Sequence, residues 1–437
     1  MPAAAPSPVQ EHRLANGLLV LTREVHVAPL VSLYVWYRVG SRHEVPGKTG
    51  ISHWTEHMVF KGTARFPKGE ADRLVAMHGG TRNGFTWLDY TAYFETLPSE
   101  HVRLAVEIEA DRMAGSLFDP DEVASERGVI ISEREGSESH PGFYLNEEVC
   151  AAAFKLHSYG LPVIGFKSDL LAITRDDLWQ HYRRYYVPGN AVVVAVGDFD
   201  TPRLLDLIES EFGAIPASPQ PSDGRLVEPE QEGERRVTVH RPGPVPQLSI
   251  AYHVPGGAHP DTLPLWVLGG VLSAGRSSRL YKGLVVTGLA SSAGAGSMLT
   301  KDPYLFRIGV TARPGVAPER IEEAALAEVQ RIVDEGVPEA ELAKVRRQLR
   351  AGHLFATEGV TNQARYLGEY EIACSWQAFE TYLDDLARVT GDDIVRVAAT
   401  YLTETNRTVG WFMPAGDGLP RGDLRPGAPG HAGGAVR

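Results

Sequence analysis

Two histidines and a glutamate fall within five residues, His53-Trp54-Thr55-Glu56-His57, inside the stretch TGISHWTEHMVFKGT. Apolar Ile51, Trp54, Met58 and Val59 around them predict a partly buried helix. Residues four apart share a helix face, so His53 and His57 can offer ring nitrogens to one ion. Glu56 lies on that face too, within reach of a water beside the ion. Such a set does hydrolysis: the cation acidifies water and polarises the bond, and the carboxylate carries the proton.

A catalytic zinc takes three protein ligands and keeps one position open. The segment SERGVIISEREGS puts Glu126 and Glu133 two helical turns apart, so both point the same way. One can bind the metal while the other accepts a hydrogen bond from a ligand histidine. Spacing alone does not say which, and a solvated acidic helix face would carry the same pattern. Glu107, Glu109, Asp111, Asp89 and Cys150 are further possible ligands. His43, His78 and His140 read as surface or local hydrogen-bonding residues.

The elements that must position these groups alternate between strands and helices. Strands are predicted at 18–25, 31–39, 85–97 and 191–197, and helices near 49–61, 69–79, 99–115 and 120–135, with more up to 186. Hairpin-like strands among helices predict an α+β fold, mostly antiparallel sheet with helices packed on one face. The halves resemble each other. Val31-Ser-Leu-Tyr34 corresponds to Leu248-Ser-Ile-Ala251, at an offset of 217. Thr174-Arg-Asp-Asp-Leu178 corresponds to Thr390-Gly-Asp-Asp-Ile394, and Tyr185 and Asn190 to Tyr401 and Asn406, at 216.

Two duplicated domains follow, at 10–215 and 236–414, with a Pro/Ser/Gly-rich linker at 216–235 and a flexible tail at 415–437. In the second half, Gly270, Ser273 and Ala274 stand where His53, Glu56 and His57 stand in the first. The first half therefore reads as the active domain and the second as its inactive twin.

Composition narrows the partners. Against 43 basic residues stand 55 acidic ones, a net charge of −12, so nucleic acid is not an expected partner. No apolar run reaches the roughly 18–20 residues of a membrane span. Two cysteines, and an opening MPAAAPSPVQEH without the marks of a secretory signal, give a cytoplasmic expectation.

In combination, HWTEH, ERGVIISERE, the intervening GGTRNGFTWLDYTAYFETLP and the duplicated halves resemble the pitrilysin family of inverzincin metallopeptidases, in its short branch with mitochondrial processing peptidase. The resemblance implies His53, His57 and Glu133 as ligands of one Zn2+ per chain, Glu56 as the base and Glu126 as the supporting acid. It also matches Asn83 and Gly84 to an Asn-Ala pair that contacts substrate backbone. Phe85 and Thr86 continue that strand. Many relatives carry an Arg and a Tyr in the second half that hold the substrate, whereas Val285 and Ser291 stand near those positions here. The expected assembly is thus a heterodimer with a homologous subunit that keeps the pair, a homodimer being the fallback. The implied activity is zinc-dependent cleavage of peptides or unfolded polypeptides inside a clamshell chamber. A non-catalytic peptide-binding or scaffolding member, and an unrelated zinc hydrolase of small molecules, are the rival readings.

Overall fold

Short alternating apolar runs, punctuated by Gly, Asn and Pro, build two sheets in the computed structural model, which describes residues 7–221 and 226–415. Part of the expected linker (222–225) and all but the first residue of the expected tail lie outside the described residues. The first sheet contains β1 (Gln10–Arg13), β2 (Leu19–Glu24), β3 (Leu30–Tyr37), β4 (Thr81–Thr86), β5 (Thr91–Pro98) and β6 (Ala191–Gly197). Their spatial order is β1-β2-β6-β3-β5-β4, and only β2–β6 is parallel. The second contains β7 (Arg235–Arg241), β8 (Gln247–Val254), β9 (Ala290–Ser297), β10 (Tyr304–Ala312) and β11 (Arg407–Pro414). Its order, β7-β11-β8-β10-β9 with only β7–β11 parallel, repeats the first sheet without β1.

The helices of the first half are α1 (Ile51–Val59), α2 (Glu70–Met77), α3 (Val102–Gly115), α4 (Pro120–Glu138), α5 (Pro141–Ala153), α6 (Lys167–Ala172), α7 (Arg175–Tyr185) and α8 (Thr201–Phe212). Those of the second are α9 (Thr262–Ser273), α10 (Pro318–Glu335), α11 (Glu339–Ala356), α12 (Val360–Ala373), α13 (Trp376–Arg388) and α14 (Gly391–Tyr401). The duplication reaches individual hydrogen bonds. Thr174 caps α7 in a reciprocal box with Asp177, and Thr390 caps α14 in the same box with Asp393. The Asn190 amide donates to Tyr185 O at 2.9 Å, and the Asn406 amide to Tyr401 O at 2.7 Å.

Two predicted elements differ in detail. The strand expected at 85–97 is a hairpin, β4 and β5, closed by a Trp87 N–H bond to Tyr90 O at 2.8 Å. The Asp89 carboxylate holds that turn by accepting from Tyr159 Oη at 2.6 Å and from the Lys301 N–H of the second half at 3.0 Å. The helix expected from 99 begins at Val102, after one 3-10 turn over Ser99–His101.

Each half packs most of its own helices on one face of its sheet, and a helix from the other half crosses the opposite face. From the second half, α12 lies on β3 and β6, burying Trp36, Val192, Val194 and Leu367. From the first half, α5 lies on β11, β7 and β8, burying Val149, Val239 and Phe412. Every residue of β6, AVVVAVG, is buried, as a strand covered on both faces requires. The approach of α12 is close: a Cβ added at Gly368 would lie 2.0 Å from Trp36 Nε1.

Candidate metal centre

Helix α1 carries the HxxEH residues, and its start is fixed from outside. Gly50 precedes it in the left-handed region (φ 84°), against Ile164 O, where a Cβ would sit 2.6 Å away. Gly50 has no side chain to cap the helix, so buried Glu44 does so, accepting from Gly50 N–H at 2.7 Å and Ser52 N–H at 2.8 Å. Burial raises the Glu44 carboxyl to about 7, against the opposing pull of these backbone bonds. Nothing in the local sequence marked this residue, since its role depends on how the chain folds back before α1. Helix α4 starts at an Asp119 cap followed by Pro120 at its first position. It crosses α1 with the Arg127 guanidinium 4.9 Å from the Trp54 ring centroid.

This crossing brings together His53, His57 and Glu133. One donor atom from each lies within 4.8 Å of the others, and among the described residues no other group of three or more His, Cys, Asp or Glu does this. Glu133 Oε2 stands 3.8 Å from His53 Nε2 and 3.7 Å from His57 Nε2. Ligand atoms about 2.0–2.2 Å from a tetrahedral zinc lie roughly 3.4 Å apart, so small side-chain movements close the set on an ion. The donor chemistry, two imidazoles and a carboxylate, fits zinc. Burial, then the neighbouring His57, lowers the His53 pKa to about 3, so its ring is neutral at pH 7 with a free lone pair. Its buried Nδ1 has no hydrogen-bond partner among the described residues. Glu133 is 48% exposed, so the group opens to solvent on that side.

The two glutamates of α4 face different atoms of the histidines. Glu126 Oε1 accepts from His57 Nδ1 at 2.9 Å, which turns His57 Nε2 toward Glu133. The other Glu126 oxygen pairs with Lys61. Burial raises the Glu126 carboxyl, but the bonds from Lys61 and His57 outweigh it and hold the pKa below the ordinary value.

Glu56 is nearly buried on the same helix face and accepts from Thr86 Oγ1 at 2.7 Å. Burial raises its pKa to about 7, the Thr86 bond opposing. Thr86 ends β4, which is the edge of its sheet. Asn83 and Gly84 lie on the same strand, and Gly84 faces Phe60 at the end of α1. Phe85 turns away, onto Trp36 and Tyr90 on the other face.

The remaining acidic and thiol candidates are engaged elsewhere. Glu107 pairs with Arg65, Glu109 with Arg112, Asp111 with Thr63, and Cys150 with Arg307 and Tyr304. His43 accepts from Gly40 N–H, the His78 ring lies beside His101, and His140 contacts Ser139. In the second half Gly270 and Ser273 sit on α9, with Ala274 just after it.

The duplicated pair of α+β sheets places the chain among the M16 peptidase folds. Residues 19–167 match the family model described as Insulinase (Peptidase family M16), and residues 172–349 match the Peptidase M16 inactive domain. The chain belongs to this insulinase- and pitrilysin-like family. It is 30% identical over 410 residues to the zinc protease PqqE of Helicobacter pylori, covering 92% of each chain. It is 28% identical over 413 residues to the mitochondrial-processing peptidase subunit beta of Lentinula edodes, covering 91% of this chain and 88% of that one. The crystal structure of a protease from Helicobacter pylori superposes with a TM-score of 0.90 at 28% identity, covering 94% of this chain and 100% of that one. No helix among the described residues is long and apolar enough to cross a membrane.

Proposed function

We propose that the chain is a zinc-dependent endopeptidase, its catalytic domain at 10–215 and its inactive companion at 236–414, acting on short or unfolded polypeptides. The observation that supports this best is the meeting of the His53, His57 and Glu133 donors beside Glu56, which is itself bonded to an edge strand. His53, His57 and Glu133 would hold one zinc ion per chain, and Glu126 would orient His57. Bound zinc supplies Lewis acidity, polarising a carbonyl and easing the ionisation of water. Glu56 takes the proton of the attacking water and hands it to the leaving amine, for which a pKa near 7 is suited.

The substrate adds to the free edge of β4 as an extended strand, using the backbone at Asn83, Gly84, Phe85 and Thr86. Backbone pairing reads shape more than sequence, which favours unfolded chains over folded ones. Val285 and Ser291 take the places of the Arg and Tyr expected in the second half, so we assign the chain to a heterodimer with a homologous subunit that supplies them. The two subunits would close a chamber around the peptide. A relative named as a subunit of a processing peptidase supports that arrangement. Unpaired Cys150 and Cys374 suit a reducing compartment such as the cytoplasm.

The test is peptide hydrolysis by the purified chain, alone and with a homologous subunit, for wild type, Glu56→Gln and His57→Ala. Glu56→Gln is expected to keep zinc and lose turnover, and His57→Ala to lose zinc. Retained turnover in Glu56→Gln, or unchanged zinc content in His57→Ala, overturns the assignment.

A further inference from the structure

A peptide strand added to β4 shows its side chains alternately to two faces of the sheet, and only one of them is the zinc face. On that face lie Thr86, bonded to Glu56, and Gly84 against Phe60. On the other, the Phe85 ring stands edge-on to Trp36, with centroids 5.6 Å apart, and edge-on to Tyr90 at 6.0 Å. Over Phe85 lies Arg365 of α12, its guanidinium carbon 5.6 Å from the ring centroid. Arg365 is exposed and makes no ion pair or hydrogen bond with any described residue. The carboxylate one turn along α12, Glu369, accepts from Tyr90 Oη at 3.5 Å and is near enough for the Arg365 charge to oppose the rise that burial gives its pKa, but it forms no ion pair with that guanidinium.

We propose that Arg365, delivered by the second half onto the substrate strand of the first, is a specificity-determining residue that selects acidic side chains at the peptide positions facing α12. A guanidinium lying against an aromatic ring keeps its N–H edges free, and those edges match a carboxylate fork. A carboxylate on the peptide residue that faces Arg365 meets this cation, a lysine there is repelled, and an alanine is neither favoured nor opposed. The inactive half thus contributes to selection although it carries no metal ligands. The inference rests on the reading of β4 as the peptide edge.

The test uses full-length Glu56→Gln chain, so that peptides bind without being cut, and fluorescent decapeptides with Glu, Ala or Lys at alternate positions. Binding is followed by anisotropy. The Glu peptide is expected to bind about tenfold more tightly than the Ala peptide, the size of a partly desolvated charge pair. Added Arg365→Ala brings that ratio to within about twofold, and Arg365→Glu turns the preference toward Lys. Both changes are on an exposed side chain and leave the fold in place. Hydrogen exchange at residues 81–86 reports the strand pairing separately. Protection there with an Arg365→Ala ratio equal to that of the parent overturns the subsite and keeps the edge. Absence of protection on peptide binding overturns the edge, and the subsite with it.

Discussion

Thr86 Oγ1 donates a 2.7 Å hydrogen bond to Glu56 Oε2, tying the last residue of the edge strand to the carboxylate on the HxxEH helix. Strand and helix are packed against each other, so under the proposed function a peptide paired with β4 and a base on α1 would hold a fixed relation. Correct placement of a general base relative to the reacting bond is a large part of its effect.

Thr86→Val keeps the shape of the side chain and removes the donor. We expect kcat to fall about tenfold with zinc content unchanged. The lost bond was lowering the Glu56 pKa, so the acid limb of the kcat/KM profile moves to higher pH. A pH–rate profile beside metal analysis checks both outcomes, and an unmoved acid limb contradicts the role of the bond.

Glu56 also makes the folded chain pH-dependent. Burial raises its carboxyl from 4.5 to about 7, so the folded state holds the proton more tightly than the unfolded state. Its contribution to stability is complete below the unfolded value and is lost as pH rises through the folded one. Glu56→Gln mimics the protonated form throughout. In chelator-treated protein the variant should be more stable than wild type at pH 8, by up to about 3 kcal/mol, and the difference should close toward pH 4. Denaturant midpoints at the two pH values measure this directly.

Glu126 Oε1 accepts a 2.9 Å bond from His57 Nδ1, through which the proposed function has it orient that histidine. Glu126→Gln keeps the size of the side chain but removes the charge that His57 and Lys61 share. We expect zinc affinity to drop roughly 10–100-fold, the usual cost of losing a partner behind a ligand histidine. Competition with a chromophoric chelator reads it. Affinity equal to wild type would mean that His57 is held by its packing alone.

The swapped helix has its own test. A methyl at Gly368 would meet Trp36 Nε1 at 2.0 Å, so Gly368→Ala must push α12 off β3. Overpacking of this kind costs about 1–3 kcal/mol, and here it also loosens the contact between the halves. A lowered denaturation midpoint, with faster proteolysis between the halves, is the expected result.

Much of this was legible in the chain itself. Helical spacing put His53, Glu56 and His57 on one face, and the repeated Thr-x-x-Asp and Tyr/Asn signals located the duplication that the matched caps of α7 and α14 display. These are local patterns, set by the helix period and by hydrogen bonds over three to five residues. Glu44 was not legible, because its partners, Gly50 and Ser52, are joined to it by a fold of the loop and not by a period. Nor was the exchange of α5 and α12 between sheets, although the unbroken apolar run of β6 was a sign that both faces would be covered.

The sequence by itself determined which side chains could act: two imidazoles and a carboxylate one helical turn apart, and two more carboxylates facing one way on a second helix. Spacing treats Glu126 and Glu133 as equals and the family resemblance implies Glu133 as the ligand, but only the tertiary structure gives the position of each carboxylate. The crossing of α4 over α1 brings Glu133 to the Nε2 atoms of both histidines and Glu126 to the Nδ1 of one. Periodicity fixes the direction of a side chain about its own helix axis, but the angle between two helices is set by packing far from either motif.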